Sequence, residues 1–276
     1  MLLAGFVVTF VLWRGLQAPL ANPMLERENY RGEAIPTALG FVGVLGFVGV
    51  TAAAGVLDSL GWVEQPVATS SRNFVLPLVL GFALLGLFDD LAGSGHHRGF
   101  GGHAAELGRG RMTTGMLKLL GGALVALAGV AMLNRLPHTG WLLVDAAIVA
   151  LAANLANLLD RAPGRTTKVA LVAFVVLGFS TGAWTLLAGP ALLLGAALAL
   201  LIPELAERGM VGDTGANALG AALGMGVVLT CPEEWRVVVL VALLVVNVAS
   251  EWVSFSSVID AVRPLRWLDR WGNRRP

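Results

Sequence analysis

The stretch from Val169 to Leu201, VALVAFVVLGFSTGAWTLLAGPALLLGAALALL, holds 33 residues without one charge. As a single α-helix it would be about 50 Å long at ~1.5 Å per residue. The hydrocarbon core of a bilayer is only ~30 Å thick and is crossed by ~20 residues. Gly189-Pro190 is a turn signal, so the stretch reads as two membrane spans, 167–187 and 189–206, hinged at that dipeptide. One fused span would reverse the orientation of everything downstream.

Working outward, further apolar runs lie at 2–21, 34–57, 74–88, 115–133, 141–159, 214–230 and 237–257. With 56% hydrophobic and 13% charged residues, against ~25% charged in soluble domains, lipid is the solvent for most of this chain. The expected fold class is all-α: a polytopic membrane helix bundle of about nine transmembrane helices, N-terminus out and C-terminus in. The basic residues agree with that orientation. Fifteen of the nineteen Lys and Arg then fall on the cytoplasmic side, and the other four are Arg14, Arg72, Arg135 and Arg236, as the positive-inside rule requires. The first apolar run has no basic leader and no clear cleavage site, so it reads as a retained span.

The net charge of +1 carries no sign of a nucleic-acid partner, and a single cysteine, Cys231, excludes an intrachain disulfide. Glycines within spans, such as Gly40, Gly43, Gly46, Gly220 and Gly224, read as close helix packing. One integral membrane domain, 1–276, is expected, with a cytoplasmic loop at 89–115 and a basic cytoplasmic tail at 261–276.

Unusual polar residues gather where spans meet the cytoplasmic side. Asp89 and Asp90 close the third span. Asn154, Asn157 and Asp160 close the fifth at i, i+3, i+6 spacing, on one helical face. Gly212-Asp213-Thr214-Gly215 opens the eighth, and Lys118 stands at the start of the fourth. Each has a plain reading: solvated helix ends for the aspartates, a helix–helix hydrogen bond for Asn154, an interface anchor for Lys118. Their convergence on one membrane face favours a site, because ionisable groups at membrane depth are costly. Clustered carboxylates suit Mg²⁺, which binds through one or two carboxylates plus substrate phosphates. His96, His97 and His103 lie in the adjacent loop without cysteine or usual zinc spacing.

In order along the chain, Ala34-Ile-Pro-Thr-Ala-Leu-Gly40, Phe88-Asp-Asp90, Asn154-Leu-Ala-Asn-Leu-Leu-Asp160 and Met210-Val-Gly-Asp-Thr-Gly215 resemble the motifs of the polyprenyl-phosphate hexose-1-phosphate transferases. That family includes the phospho-N-acetylmuramoyl-pentapeptide translocase and the N-acetylglucosamine-1-phosphate transferases. The resemblance implies a multi-pass plasma-membrane enzyme with a cytoplasmic active site, dependent on Mg²⁺ or Mn²⁺. It would join a sugar 1-phosphate from a nucleotide sugar, UDP-linked in this reading, to a polyprenyl phosphate and release a nucleoside monophosphate. It also implies catalytic roles for Asp89, Asp90, Asp160 and Asp213, metal ligation by Asp213 and Asp89, and substrate contacts from Lys118, Asn154 and Asn157. Membrane lipids are its surroundings, and a homodimer is implied.

The chain departs from the family after Asp160, where Gly-x-Asp-Gly is replaced by Arg161-Ala-Pro-Gly164, and the His-rich loop before the last helix has no counterpart. It is identified as a short, divergent member. Arg161 and Arg165 bring fixed positive charge to the donor side, where either would contact the donor diphosphate or else lipid headgroups. A smaller nucleotide sugar than the muramoyl-pentapeptide donor is expected. The competing classes are a relative that binds lipid phosphate without turnover and a transporter.

Overall fold

The structure is a computed structural model that describes residues 1–37, 39–62, 66–92, 114–133 and 139–273. The histidines and all the arginines of the 89–115 loop lie outside these. The helices are α1 (Leu2–Gly15), α2 (Leu39–Ser59), α3 (Pro66–Ala92), α4 (Thr114–Ala131), α5 (Thr139–Leu159), α6 (Arg165–Thr181), α7 (Ala188–Leu205), α8 (Gly212–Thr230), α9 (Glu233–Ala249), α10 (Phe255–Ala261) and α11 (Arg263–Arg270). Five of them contain segments with the length and hydropathy of a membrane span: Leu39–Ser59, Ala68–Ala92, Thr114–Ala131, Gly140–Leu159 and Ala188–Leu205. Large apolar side chains such as Leu84, Leu124, Leu143 and Phe179 face outward, as they do where the solvent is lipid.

The 169–201 stretch does divide in two, but not at Gly189-Pro190. Helix α6 ends at Gly182, whose φ of +64° is the left-handed cap that lets the chain leave the helix. Helix α7 then begins at Ala188, with Pro190 in its first turn, where the missing N–H removes no helical hydrogen bond. Ser71 of α3 completes this start: its hydroxyl accepts from the Gly189 N–H at 3.1 Å and donates to the Leu186 carbonyl at 2.6 Å.

Three other expected boundaries move for similar reasons. Residues 34–36 are not helical. Ala34–Pro36 pairs antiparallel with Glu26–Glu28 in a small hairpin of strands β1 (Glu26–Glu28) and β2 (Ala34–Pro36), with Arg27 opposite Ile35. The first helix stops at Gly15, followed by a separate turn, Gln17–Leu20, that contains Pro19. The loop expected from residue 89 begins only after Ala92, because Asp89 and Asp90 belong to the last turns of α3. The tail expected at 261–276 contains α11, which is held to the bundle.

Helix α8 is the centre of the bundle and packs on α5, α3, α2, α7 and α6. Its small residues permit this. A Cβ at Gly220 would lie 2.7 Å from the Ala153 Cα, and one at Gly224 would lie 2.8 Å from the Val149 Cα, so α8 and α5 touch backbone to backbone. On the α3 side, a Cβ at Gly86 would strike the Asp213 carbonyl and lie 2.6 Å from the Thr214 nitrogen. We therefore expect Gly86→Ala to push α3 from α8 and to cost about 1–3 kcal/mol as an overpacking defect. Thermal unfolding in detergent measures this, and an unchanged transition would mean that the α3–α8 contact yields freely.

Candidate active site

The start of α8 is built by three segments distant in sequence. Residues Met210 and Val211 run beside the start of α2: the Met210 N–H donates to the Pro36 carbonyl at 2.7 Å, the Leu39 N–H to Met210 at 3.2 Å and the Gly40 N–H to Val211 at 3.0 Å. This joins two of the four motifs directly. The chain then turns at Gly212, with φ +67°, where a Cβ would lie 2.6 Å from the Thr37 carbonyl oxygen and 2.9 Å from an Asp90 oxygen.

Val211, the residue before α8, provides no side-chain cap. Asp90 supplies it from α3. One carboxylate oxygen accepts the Asp213 N–H at 3.0 Å, and the other accepts the Thr214 N–H at 3.0 Å and the Thr214 hydroxyl at 2.7 Å. A carboxylate there satisfies donors that a helix start leaves open and meets the positive end of the helix dipole. Helix α3 thus braces both neighbours, through Ser71 at α7 and Asp90 at α8. These two residues are about 28 Å apart along the helix at ~1.5 Å per residue.

Asp89 and Asp213 are brought together around Lys118 from α4. The Lys118 ammonium donates to an Asp213 oxygen and lies 3.7 Å from Asp89. Thr114 and Asp213 lie beside the Asp89 carboxyl. Asp160, just past the end of α5, accepts from the Thr166 hydroxyl at 3.3 Å. Burial first, and then the Asp90 carboxylate, push its carboxyl up to about 6.

Two residues singled out from sequence are engaged elsewhere. Asn154 donates to Asn247 of α9 at 2.7 Å, the helix–helix hydrogen bond that was its plain reading. Asn247 in turn donates to the Leu151 and Leu243 carbonyls. The Arg165 guanidinium is consumed by Asp269 of α11 in a bidentate pair at 2.7 and 3.0 Å and by Ser256 at 2.9 Å. Lys168 adds a bond to the Asp269 carbonyl at 2.6 Å. Asn157 remains with a buried, unpartnered Oδ1.

Arg161 lines a cavity of about 410 Å³ beside Asp160, with the β1–β2 hairpin and Glu204 and Glu207 on its other walls. A second, apolar cavity of about 200 Å³ runs between α5, α6, α8 and α9 and reaches Thr166. Sequence reading passed over Glu204, Glu207, Asn247 and Thr166. An acid ending the apolar run of α7 and a lone Asn in the apolar α9 were the available signals.

Among the described residues, no three His, Cys, Asp or Glu side chains form a ready ligand set. The donor chemistry still fits Mg²⁺. Asp89 and Asp213 already hold one cation, the Lys118 ammonium, between them, and Mg²⁺ typically takes one or two carboxylates and completes its shell with phosphate oxygens and water.

Fold and site together define a multi-pass helical membrane protein whose carboxylates and lysine gather at one end of the bundle. No family model matches the chain. Over 170 residues, 57% of its length, it is 30% identical to the phospho-N-acetylmuramoyl-pentapeptide-transferase of Moorella thermoacetica. The chain spans about half, 53%, of that relative.

Proposed function

We propose that this protein is a membrane transferase that moves a sugar 1-phosphate from a nucleotide sugar onto a polyprenyl phosphate at the cytoplasmic face. The observation that carries the reading is the Asp89–Lys118–Asp213 cluster at the start of α8, which Asp90 caps. An oxygen of the lipid phosphate forms a bond to the sugar-bearing phosphorus. The bond from that phosphorus to the oxygen shared with the nucleoside phosphate breaks, and the nucleoside monophosphate leaves with the electron pair. A phosphomonoester with a second pKa of about 6 is already largely ionised near neutrality, so the acceptor needs positioning and charge neutralisation more than a base.

Asp89 and Asp213 face the Lys118 ammonium, with Asp90 and Asp160 close by, and two anionic substrates would be repelled without more positive charge. Asp213 and Asp89 would hold Mg²⁺ or Mn²⁺, which supplies Lewis-acid stabilisation of the phosphoryl oxygens when bound. Lys118 neutralises the same oxygens. Asp90 is a positioning residue, since both its oxygens are spent on the α8 start. Arg161, at the cavity edge, meets the donor diphosphate, and Arg165 does not. The apolar cavity along Leu155, Leu159 and Leu243 takes the first isoprene units and leads to Thr166, which bonds Asp160. A transporter reading is less well supported, because the ionisable groups sit towards the two ends of the bundle, Asp58–Arg72 and Asp145–Arg236 at one and the aspartate cluster at the other, instead of along a path through it.

The test is turnover by the purified protein with undecaprenyl phosphate, Mg²⁺ and a panel of nucleotide sugars. Lipid-linked diphosphate product supports the reading, and its absence with every donor overturns it. Orientation is tested separately. In a Cys231→Ser background, a cysteine at the exposed position Ser70 is expected to react with an impermeant reagent from outside, while a C-terminal reporter reads cytoplasmic. The opposite pattern reverses the topology.

A further inference from the structure

Beyond α9 the chain carries three exposed tryptophans: Trp252, Trp267 and Trp271 are 80%, 65% and 66% exposed. Apolar surface of that size is unfavourable in water and marks a face that something covers. Helix α11 shows how the face is built. At ~100° per residue, Pro264, Trp267, Leu268 and, just past the helix, Trp271 fall on one side, while Arg263, Arg266, Asp269 and Arg270 fall on the other.

The bundle holds this arm from the charged side. The Asp269 carboxylate pairs with Arg165 and its carbonyl accepts from Lys168, both in the first turn of α6, and Ser256 of α10 bonds the same Arg165. A Cβ at Gly272 would lie 3.1 Å from the Leu205 Cδ1 at the end of α7. Thr166, beside these anchors, bonds Asp160, so the arm lies at the end of the bundle that carries the candidate site. The tryptophan side of α11 is left turned away from the anchors.

The place of the arm says what covers that side. Helix α9 presents Val241, Val245 and Val248 outward in one row up to its end at Ala249, as a lipid-facing helix does. The arm follows directly, at the level where hydrocarbon gives way to headgroups. Tryptophan is enriched at that level, and a helix with one apolar and one basic face lies in the plane of the interface. The charges select the lipid. Arg270 pairs with the exposed Asp260 at 3.2 Å, and Arg263 and Arg266 make no ion pair among the described residues. A second copy of the arm would set these arginines against one another, whereas anionic headgroups neutralise them.

We propose that α10 and α11 form an interfacial arm that docks on the bilayer surface beside the candidate site and binds anionic phospholipid. Trp267, Leu268 and Trp271 enter the acyl boundary, and Arg263 and Arg266 meet headgroup phosphates. The proposal rests on the bundle spanning a membrane and not on the transferase reading.

The test uses the purified full chain with Cys231→Ser and Leu268→Cys, labelled with a fluorophore at position 268, in bilayers containing brominated phosphatidylglycerol or brominated phosphatidylcholine. Quenching measures the relative association of the two lipids at the arm. Phosphatidylglycerol is expected to associate at least about fivefold more strongly, the contribution of a single arginine near an anionic surface. A label placed instead through Leu84→Cys, on the outward side of α3, is expected to show no such preference. Arg263→Glu combined with Arg266→Glu is expected to abolish the preference at position 268. Salt at about 1 M, which screens charges beyond about 3 Å, is expected to do the same with no substitution. Equal quenching by the two lipids at position 268, or a preference that survives both the double substitution and the salt, overturns the proposal. So does quenching by neither lipid: a label then reached by aqueous iodide would place the arm in water, and one shielded from iodide would place a protein on that face.

Discussion

Asp213→Asn is expected to lower transfer by about 10²–10³-fold, the scale on which removal of one preorganised electrostatic contact acts on a developing charge. Asparagine preserves the shape of the side chain but not the charge that holds Lys118 and would hold the divalent cation. Asp89→Asn should act in the same direction, because its carboxyl faces the same ammonium. Asp90→Asn should cost less, about 10- to 100-fold, as expected of a group that orients a ligand without touching the reacting atoms. The measurement is initial-rate formation of lipid-linked product, with unfolding transitions recorded alongside to show that each variant is folded. EDTA should abolish turnover, and Mg²⁺ should restore it. Turnover unaffected by EDTA would remove the metal from Asp89 and Asp213, and equal losses at Asp90 and Asp213 would remove the distinction between positioning and catalysis.

The second large effect is on stability. Arg165→Ala leaves Asp269 buried without its bidentate partner, and loss of one member of a buried pair costs about 3–5 kcal/mol. The side chains are 6% and 10% exposed, so solvent cannot replace the missing charge. Asp269→Ala should cost a similar amount, and the double variant should be much less unstable than the sum. Thermal unfolding in detergent measures all three. Donor KM provides the contrast: if Arg165 held the donor diphosphate, Arg165→Lys would raise KM while Asp269→Asn would not. We expect both to act on stability and neither to change KM alone.

Hydropathy located the helices well because lipid imposes a simple demand. Every backbone group has to be satisfied within its own segment, so a long apolar run becomes a helix whatever its neighbours are. The ends were less legible. The 169–201 stretch breaks at Gly182 because the left-handed cap falls there, and Gly189-Pro190 is absorbed into the first turn of α7 with help from Ser71, more than a hundred residues earlier. A local turn signal cannot register such a partner. The same holds for residues 34–36, where pairing with Glu26–Glu28 and the bonds to Met210 favour a strand over the start of a span.

The candidate site divides in the same way. The sequence by itself determined that carboxylates, amides and one lysine stand at the ends of apolar runs, because ionisable groups at membrane depth are too costly to occur at random. It could not say which of them meet. Asp89 and Asp90 are adjacent in the chain, yet successive residues on a helix point about 100° apart, and so one faces Lys118 while the other caps α8. Arg161 and Arg165 looked alike as fixed charges, but Arg165 is drawn to Asp269, about a hundred residues away, while Arg161 remains at the cavity. Glu204, which reads as the end of an apolar helix, becomes a cavity wall only when α7, the hairpin and the Asp160 turn close around it. Composition set which groups were present at the membrane face. Packing decided their partners, because a hydrogen bond depends on distance and angle between side chains that only the closed bundle brings together.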